Sequence, residues 1–232
     1  MIVKSNLSGS ASFLRVAGFA GLGFALFIVL ANLILAPAGL PRPGTDGDEA
    51  IEFFISRHDL VAVAMAPAPL GWFCAVLFGA GALAALRPAE RATGEGWSLA
   101  GFAGLLLQNA TFTVVVGIRY ALGTLTAADG TSAGLWALHD ALLTLNGTFL
   151  ALALVGLSIA GRRGGLIRPW HAAIGFLSAA LQFTAATITP LVIDHPGPLG
   201  LIGLTGWLLW AVWFVTYGVA LIRVEPALQI AH

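Results

Sequence analysis

The chain has 232 residues, of which 58 % are hydrophobic and only 9 % charged, where soluble domains carry about 25 % charged residues. Its eleven basic and eleven acidic side chains cancel to zero net charge, which excludes a basic nucleic-acid binder and a highly charged disordered chain. Such a composition suits a protein whose solvent is lipid.

A helix that crosses a bilayer needs about 20 predominantly apolar residues. Six segments meet that requirement: Val16–Leu40, Leu60–Leu86, Trp97–Leu122, Gly134–Ala160, Trp170–Ile193 and Leu199–Arg223. No run alternates as a barrel strand does, so the sequence predicts an all-α, six-span transmembrane bundle in one domain. Lys4 and Arg15 before the first segment and Ala36-Pro37-Ala38 after it mimic a signal peptide. The apolar stretch exceeds the roughly 7–15 residues of a signal core, so a retained first helix is expected.

Between the first two spans, the Pro-rich Leu40-Pro41-Arg42-Pro43-Gly44 leads into Asp46–Ser56. There Ile51, Phe54 and Ile55 recur at helical spacing and Asp48, Glu49 and Glu52 crowd the first turn, where carboxylates suit a helix N-terminus. A short interfacial helix over the bundle mouth is predicted, either an ordinary connector or a functional cover. The second span opens on His58-Asp59 and carries Pro67 and Pro69, each of which removes a backbone donor and invites a kink. Its Gly79-Ala80-Gly81-Ala82-Leu83-Ala84 resembles a dinucleotide fingerprint but lacks the preceding strand and aqueous phosphate site. The lone Cys74 lies within this span and is read as a small apolar residue. The sequons at Asn6, Asn109 and Asn146 fall inside spans or on the inner side, so none is expected to be glycosylated.

Small residues four apart let membrane helices approach closely. Ala17, Gly21 and Ala25 form one such stripe, Gly71, Ala75 and Gly79 a second, and Gly175 with Ala179 a third. Packing explains them, with a homo-oligomer or a membrane partner as the alternative. Trp97, Trp136 and Trp170 stand at helix starts, where indoles anchor at the headgroups. Trp207, Trp210, Trp213 and Tyr217 form an aromatic stripe on the last span, read as packing rather than as a pocket wall.

Orientation follows the basic residues near helix ends. With the N-terminus inside, Lys4, Arg15, Arg87, Arg91, Arg162, Arg163, Arg168 and Arg223 lie inside, eight against the outer Arg42, Arg57 and Arg119. Both termini are therefore expected to be cytoplasmic, in a multi-pass plasma-membrane protein.

Ionisable groups within spans cost at least about 2.5–3.5 kcal/mol on insertion scales and prompt a functional hypothesis. Arg119, followed by Tyr120, lies near the outer end of the third span, and His139-Asp140 about two turns into the fourth. An antiparallel hairpin brings them to one depth, and an Arg119–Asp140 ion pair is expected. With His58-Asp59 and Asp194-His195, three His–Asp doublets share this face. If His58, His139 and His195 converged they would bind Zn²⁺ or Cu²⁺. No ligand-spacing motif supports this, so no cofactor is expected and a divalent metal remains the alternative. Deeper, Asn109, Asn146 and Gln182 lie roughly 9–12 residues from an outer end, near the midplane. Gln108 shares a face with Arg119 and Asn146 with His139, with Thr111, Thr144 and Thr148 nearby. A polar track from mouth to midplane is predicted, its plainer reading being hydrogen bonds that hold the bundle together.

Leu138-His139-Asp140 opening a span, the basic turn Gly161-Arg162-Arg163-Gly164-Gly165-Leu166-Ile167-Arg168-Pro169, and the closing Trp207–Arg223 resemble small bacterial six-helix membrane proteins grouped as domains of unknown function. The resemblance covers roughly residues 134–223 and implies a plasma-membrane location without an activity. The leading functional expectation is binding or transport of a small molecule or ion in an outward-facing polar cavity, contacted by Arg119, Tyr120, His139, Asp140, Asn109, Asn146 and Gln182. The alternatives are an enzyme acting on a lipid or isoprenoid through His139 and Asp140, and an accessory subunit of a membrane complex.

Overall fold

A computed structural model describes residues 2–125, 130–193 and 197–224, with side chains from residue 12 onward. Ten helices and no strand occur among the described residues: α1 (Ile2–Leu35), α2 (Gly47–Ser56), α3 (His58–Met65), α4 (Ala68–Thr93), α5 (Trp97–Gly123), α6 (Gly130–Leu145), α7 (Gly147–Arg163), α8 (Pro169–Thr187), α9 (Thr189–Ile193) and α10 (Gly200–Ile222). Five helical stretches among them are long and apolar enough to cross a membrane, namely Ser12–Leu35, His58–Thr93, Trp97–Gly123, Gly130–Arg163 and Gly200–Ile222.

The expected span at Trp170–Ile193 is not one of these five. It divides at Ile188, two residues before Pro190, and α8 carries His171, Ser178 and Gln182 among its apolar residues. The first span also stops five residues early, at Leu35 rather than Leu40. Gly39, in the left-handed region at φ 92°, lets its own N–H reach the Ala36 carbonyl and the Leu40 N–H reach the Leu35 carbonyl. That is the Schellman arrangement that terminates helices.

The second and fourth spans are likewise interrupted. The break between α3 and α4 falls at Ala66–Pro67, where Pro67 and Pro69 supply no N–H. At Asn146 the interruption is slight, since its backbone stays helical and its N–H still reaches the Leu142 carbonyl; the adjoining Gly147 lets α8 come close, where a Cβ would lie 2.6 Å from the Gln182 carbonyl oxygen.

The long helices close into a ring in the order α1, α4, α5, α7, α8, α10, with α10 packed back on α1. Glycines fix the spacing. A Cβ on Gly156 would stand 2.5 Å from the Gly101 nitrogen, and one on Gly104 would stand 2.6 Å from the Ala153 nitrogen. The three small-residue stripes are used inside the bundle: Gly21 faces Phe78, Gly79 faces Phe102 and Leu105, and Gly175 faces Ser158 and Trp213. The aromatic stripe is core as well, since Trp210, Trp213 and Tyr217 are buried with Phe24, Phe78 and Phe214.

At one end, the Glu90 carboxylate of α4 accepts from the Ser98 backbone N–H at 2.6 Å and from the Ser98 hydroxyl. It thereby caps α5, whose own N-cap, Gly96, has no side chain to do so. Glu95 pairs with Arg163 and ties α7 to the same turn. This end gathers Arg15, Arg87, Arg91, Arg162, Arg163, Arg168 and Arg223, seven arginines with Glu90 and Glu95. The other end has three arginines, Arg42, Arg57 and Arg119, with six acids, Asp46, Asp48, Glu49, Glu52, Asp59 and Asp140. Asp129, Asp194, His195 and Glu225 lie outside the described residues.

The backbone contact of α5 with α7 makes a direct prediction. Gly156→Leu should destabilise the detergent-solubilised protein by about 1–3 kcal/mol, the usual range for overpacking. Gly117→Leu on the same pair's outer surface, where a Cβ meets nothing within 4 Å, should leave the melting temperature unchanged.

A candidate polar binding site between two apolar cores

The apolar interior consists of two clusters. One surrounds Phe78, Leu154, Trp213 and Tyr217 and reaches Leu105, Leu150 and Ala179. The other holds Leu35, Ile51, Phe54, Val61, Met65, Val116, Leu122 and Trp136. Between Leu105 and Val116 on α5 lie Gln108 and Asn109, both buried.

The helical register explains the layer. The pairing that sets Gly101 against Leu157 and Gly104 against Ala153 puts Asn109 opposite Thr148–Phe149, within a turn of Asn146. Gly147 in turn abuts Gln182, so α5, the α6–α7 break and α8 present amides at one depth. The breaks at Pro67, Asn146 and Ile188 share a level, that of the Phe112–Val116 turn of α5, as judged from the contacts of Gly71, Gly79, Gly147 and Gly175.

Toward the acidic end, Arg119, His139 and Asp140 are buried at 5 %, 1 % and 3 % exposure. The expected Arg119–Asp140 ion pair does not form. Arg119 Nε instead donates to His139 Nε2 at 3.0 Å. Successive residues on α6 point about 100° apart, and the helix turns His139 rather than Asp140 toward α5. An arginine N–H is always a donor, so His139 Nε2 must be the acceptor and the neutral ring carries its proton on Nδ1. Trp136 stacks on His139 at 4.8 Å and 17°, and Phe54 of α2 packs against both rings. Trp136 was expected at the lipid interface but is 5 % exposed, because α2 and the preceding loop cover it. Trp97 and Trp170 remain exposed, as anchors should.

Asp140 Oδ2 accepts the Gly44 backbone N–H at 2.9 Å, and Trp136 Nε1 donates to the Thr45 carbonyl at 3.2 Å. Gly44 adopts φ 84°, a conformation that favours glycine. Sequence reasoning noticed this loop for its prolines and missed that its backbone binds the carboxylate. The one available signal was a glycine two residues before a helix N-cap, with Asp46 accepting from the Asp48 and Glu49 N–H groups.

The remaining candidates separate. Tyr120 is 39 % exposed and points away from this group. Gln182 donates to the Gly203 carbonyl at 3.3 Å, joining α8 to α10. Thr111 and Thr144 bond carbonyls of their own helices, and Thr148 is exposed. His58 sits exposed beside Asp59 at 3.2 Å while His139 is buried, and His195 is not described. Among the described residues no three His, Cys, Asp or Glu side chains form a metal-ligand group.

Six buried polar atoms have no protein partner among the described residues: Gln108 Oε1, Asn109 Oδ1 and Nδ2, His139 Nδ1, Asp140 Oδ1 and Asn146 Oδ1. By contrast the histidine at the basic end is satisfied. His171 Nε2 lies 2.9 Å from the Trp213 carbonyl and 2.9 Å from the Thr216 hydroxyl, and Trp213 Nε1 donates to Ser158. Orphaned polar atoms therefore concentrate in one half of the bundle, on α5, α6 and Asn146.

A double-mutant cycle tests the pairing. Arg119→Gln and His139→Leu should couple by about 0.5–3 kcal/mol in thermal or denaturant stability. Arg119→Gln with Asp140→Asn should couple less, and the reverse order would restore the Arg119–Asp140 pair. No family model, curated protein or solved structure matches the chain, so whatever it does must be read from these residues.

Proposed function

We propose that the chain admits a small polar solute or ion past His139 and Asp140 and binds it at the amide layer between its two apolar cores, near the bilayer midplane. One observation carries this reading: six buried polar atoms without protein partners are strung from Gln108, Asn109 and Asn146 near the middle of the bundle to His139 and Asp140, about two to three turns nearer the acidic end, along the stretch where helices are interrupted. A network that served architecture alone would satisfy its own donors and acceptors, as buried polar groups nearly always do. Broken helices at one depth are also how transporters expose backbone and side-chain groups to a guest.

Binding is favoured over acid–base catalysis by the state of His139. Its lone pair is occupied by Arg119, so it offers an N–H rather than a base. Asp140 offers one free carboxylate oxygen, Asn109 both ends of an amide, and Gln108 and Asn146 further oxygens. The set supplies donors and acceptors of both signs, which suits a hydrogen-bonding solute of modest charge.

The same reading takes α8 and α9 together as a sixth crossing. It places the arginine-rich end, and with it both termini, on the cytoplasmic side of the plasma membrane. α2 then covers the outer mouth, latched to α6 through Gly44 and Thr45.

The test combines ligand detection with stability. Protein released from gentle detergent in native mass spectrometry should carry a small-molecule or ion adduct, and Asn109→Leu should lose it. The same variant should be as stable as the parent without ligand or more so, because an apolar side chain replaces an unsatisfied buried amide. A parent without an adduct that also supports no solute flux in liposomes would overturn the reading. So would loss of stability in Asn109→Leu, which would mark Asn109 as a structural bond.

A further inference from the structure

At the arginine-rich end the outer surface of α4 meets α5 in a groove of about 440 Å³, lined by Ala80, Leu83, Ala84, Arg87, Pro88, Arg91 and Phe102. The α4 residues recur at intervals of three and four, so they form one continuous helix face. From Ala80 to Arg91 this face runs about 16 Å along the axis. It is apolar along Ala80, Leu83 and Phe102 and basic at its end. The volume falls within the range of small-ligand sites.

The charges at the mouth have no counter-ion among the described residues. Among the described residues the ion pairs are His58–Asp59 and Arg163–Glu95, so Arg87 and Arg91 take part in none. The two acids nearest in sequence are already committed, Glu90 to Ser98 and Glu95 to Arg163. Glu90 is moreover buried at 4 % exposure, about 90° around α4 from the groove face. Two guanidinium groups one turn apart can share a phosphate bidentately, and an apolar face leading away from them toward the bundle centre suits a hydrocarbon chain. Basic pockets between membrane helices recognise anionic headgroups on these terms.

We infer that this groove is a binding site for one anionic phospholipid, its phosphate held between Arg87 and Arg91 and an acyl chain laid along Ala80, Leu83 and Phe102. The site is separate from the polar layer and does not depend on what that layer binds.

The test uses the full chain in mild detergent, delipidated and then offered equal amounts of phosphatidylglycerol and phosphatidylcholine with identical chains. Native mass spectrometry should show phosphatidylglycerol retained at least roughly tenfold more often, the scale set by two basic residues near a charged headgroup. Arg87→Gln with Arg91→Gln should abolish that preference. Ala80→Trp, which fills the groove and keeps both charges, should reduce retention of both lipids. Arg168→Gln with Arg223→Gln, at the same end but outside the groove, should change neither. Equal retention of the two lipids by the parent would overturn the inference. So would an equal loss in the Arg168/Arg223 variant, which would mean diffuse surface charge rather than a site.

Discussion

The contact on which the rest depends is the backbone approach of α5 to α7 at Gly101, Gly104 and Gly156. No side chain separates the two helices there, so the axial register between them has little freedom. That register continues upward without a break in α5 and through the Asn146 interruption opposite it. It sets Asn109 beside the α6–α7 break and Arg119 beside His139. A slip of one residue would rotate α6 by about 100° and offer Asp140 to Arg119 in place of the imidazole. The identity of Arg119's partner at one end is thus decided by glycines three and more turns away.

Above and below the polar layer the bundle is built differently. The lower half is a ring of long helices filled with aromatic side chains, in which Ser158, Ser178, His171, Trp213 and Tyr217 all find partners. The upper half is assembled from the short helices α2, α3, α6 and α9 around the end of α5. Burying a polar group without a partner costs about 1–3 kcal/mol. A protein that carries several such groups toward one end concentrates its stability where the helices are whole.

Much of this was legible in the chain. Apolar runs of bilayer length located the long helices, and counting residues from helix ends put Asn109, Asn146 and Gln182 at one depth. The depth of Arg119, His139 and Asp140 followed in the same way. What depth counting cannot supply is rotation, and the errors at Tyr120 and Arg119 trace to it. Tyr120 faces outward although it adjoins Arg119, and Arg119 meets His139 although Asp140 carries the opposite charge. Trp136 looked like an interfacial anchor because nothing in a one-dimensional reading shows that the Thr45 carbonyl and Phe54 fold over it. The close approach of α8 at Gly147 was also invisible, since nothing in the local sequence announces the Gln182 carbonyl that a Cβ there would meet. Prolines announced the breaks at Pro67 and Ile188.

The position of the amide layer along α5 has an electrical consequence. Asn109 lies near the middle of Trp97–Gly123, so in a bilayer crossed by this helix a guest beside it sits about halfway through the insulating slab. The full voltage drop acts on one elementary charge with about 2.3 kcal/mol per 100 mV, and half of it with roughly 1 kcal/mol. A monovalent ion held there would load more readily from one side of an energised cell than from the other. A neutral solute would be indifferent. On the proposed reading the membrane potential itself would act as a selector between these two kinds of guest, without any change in the side chains that touch them.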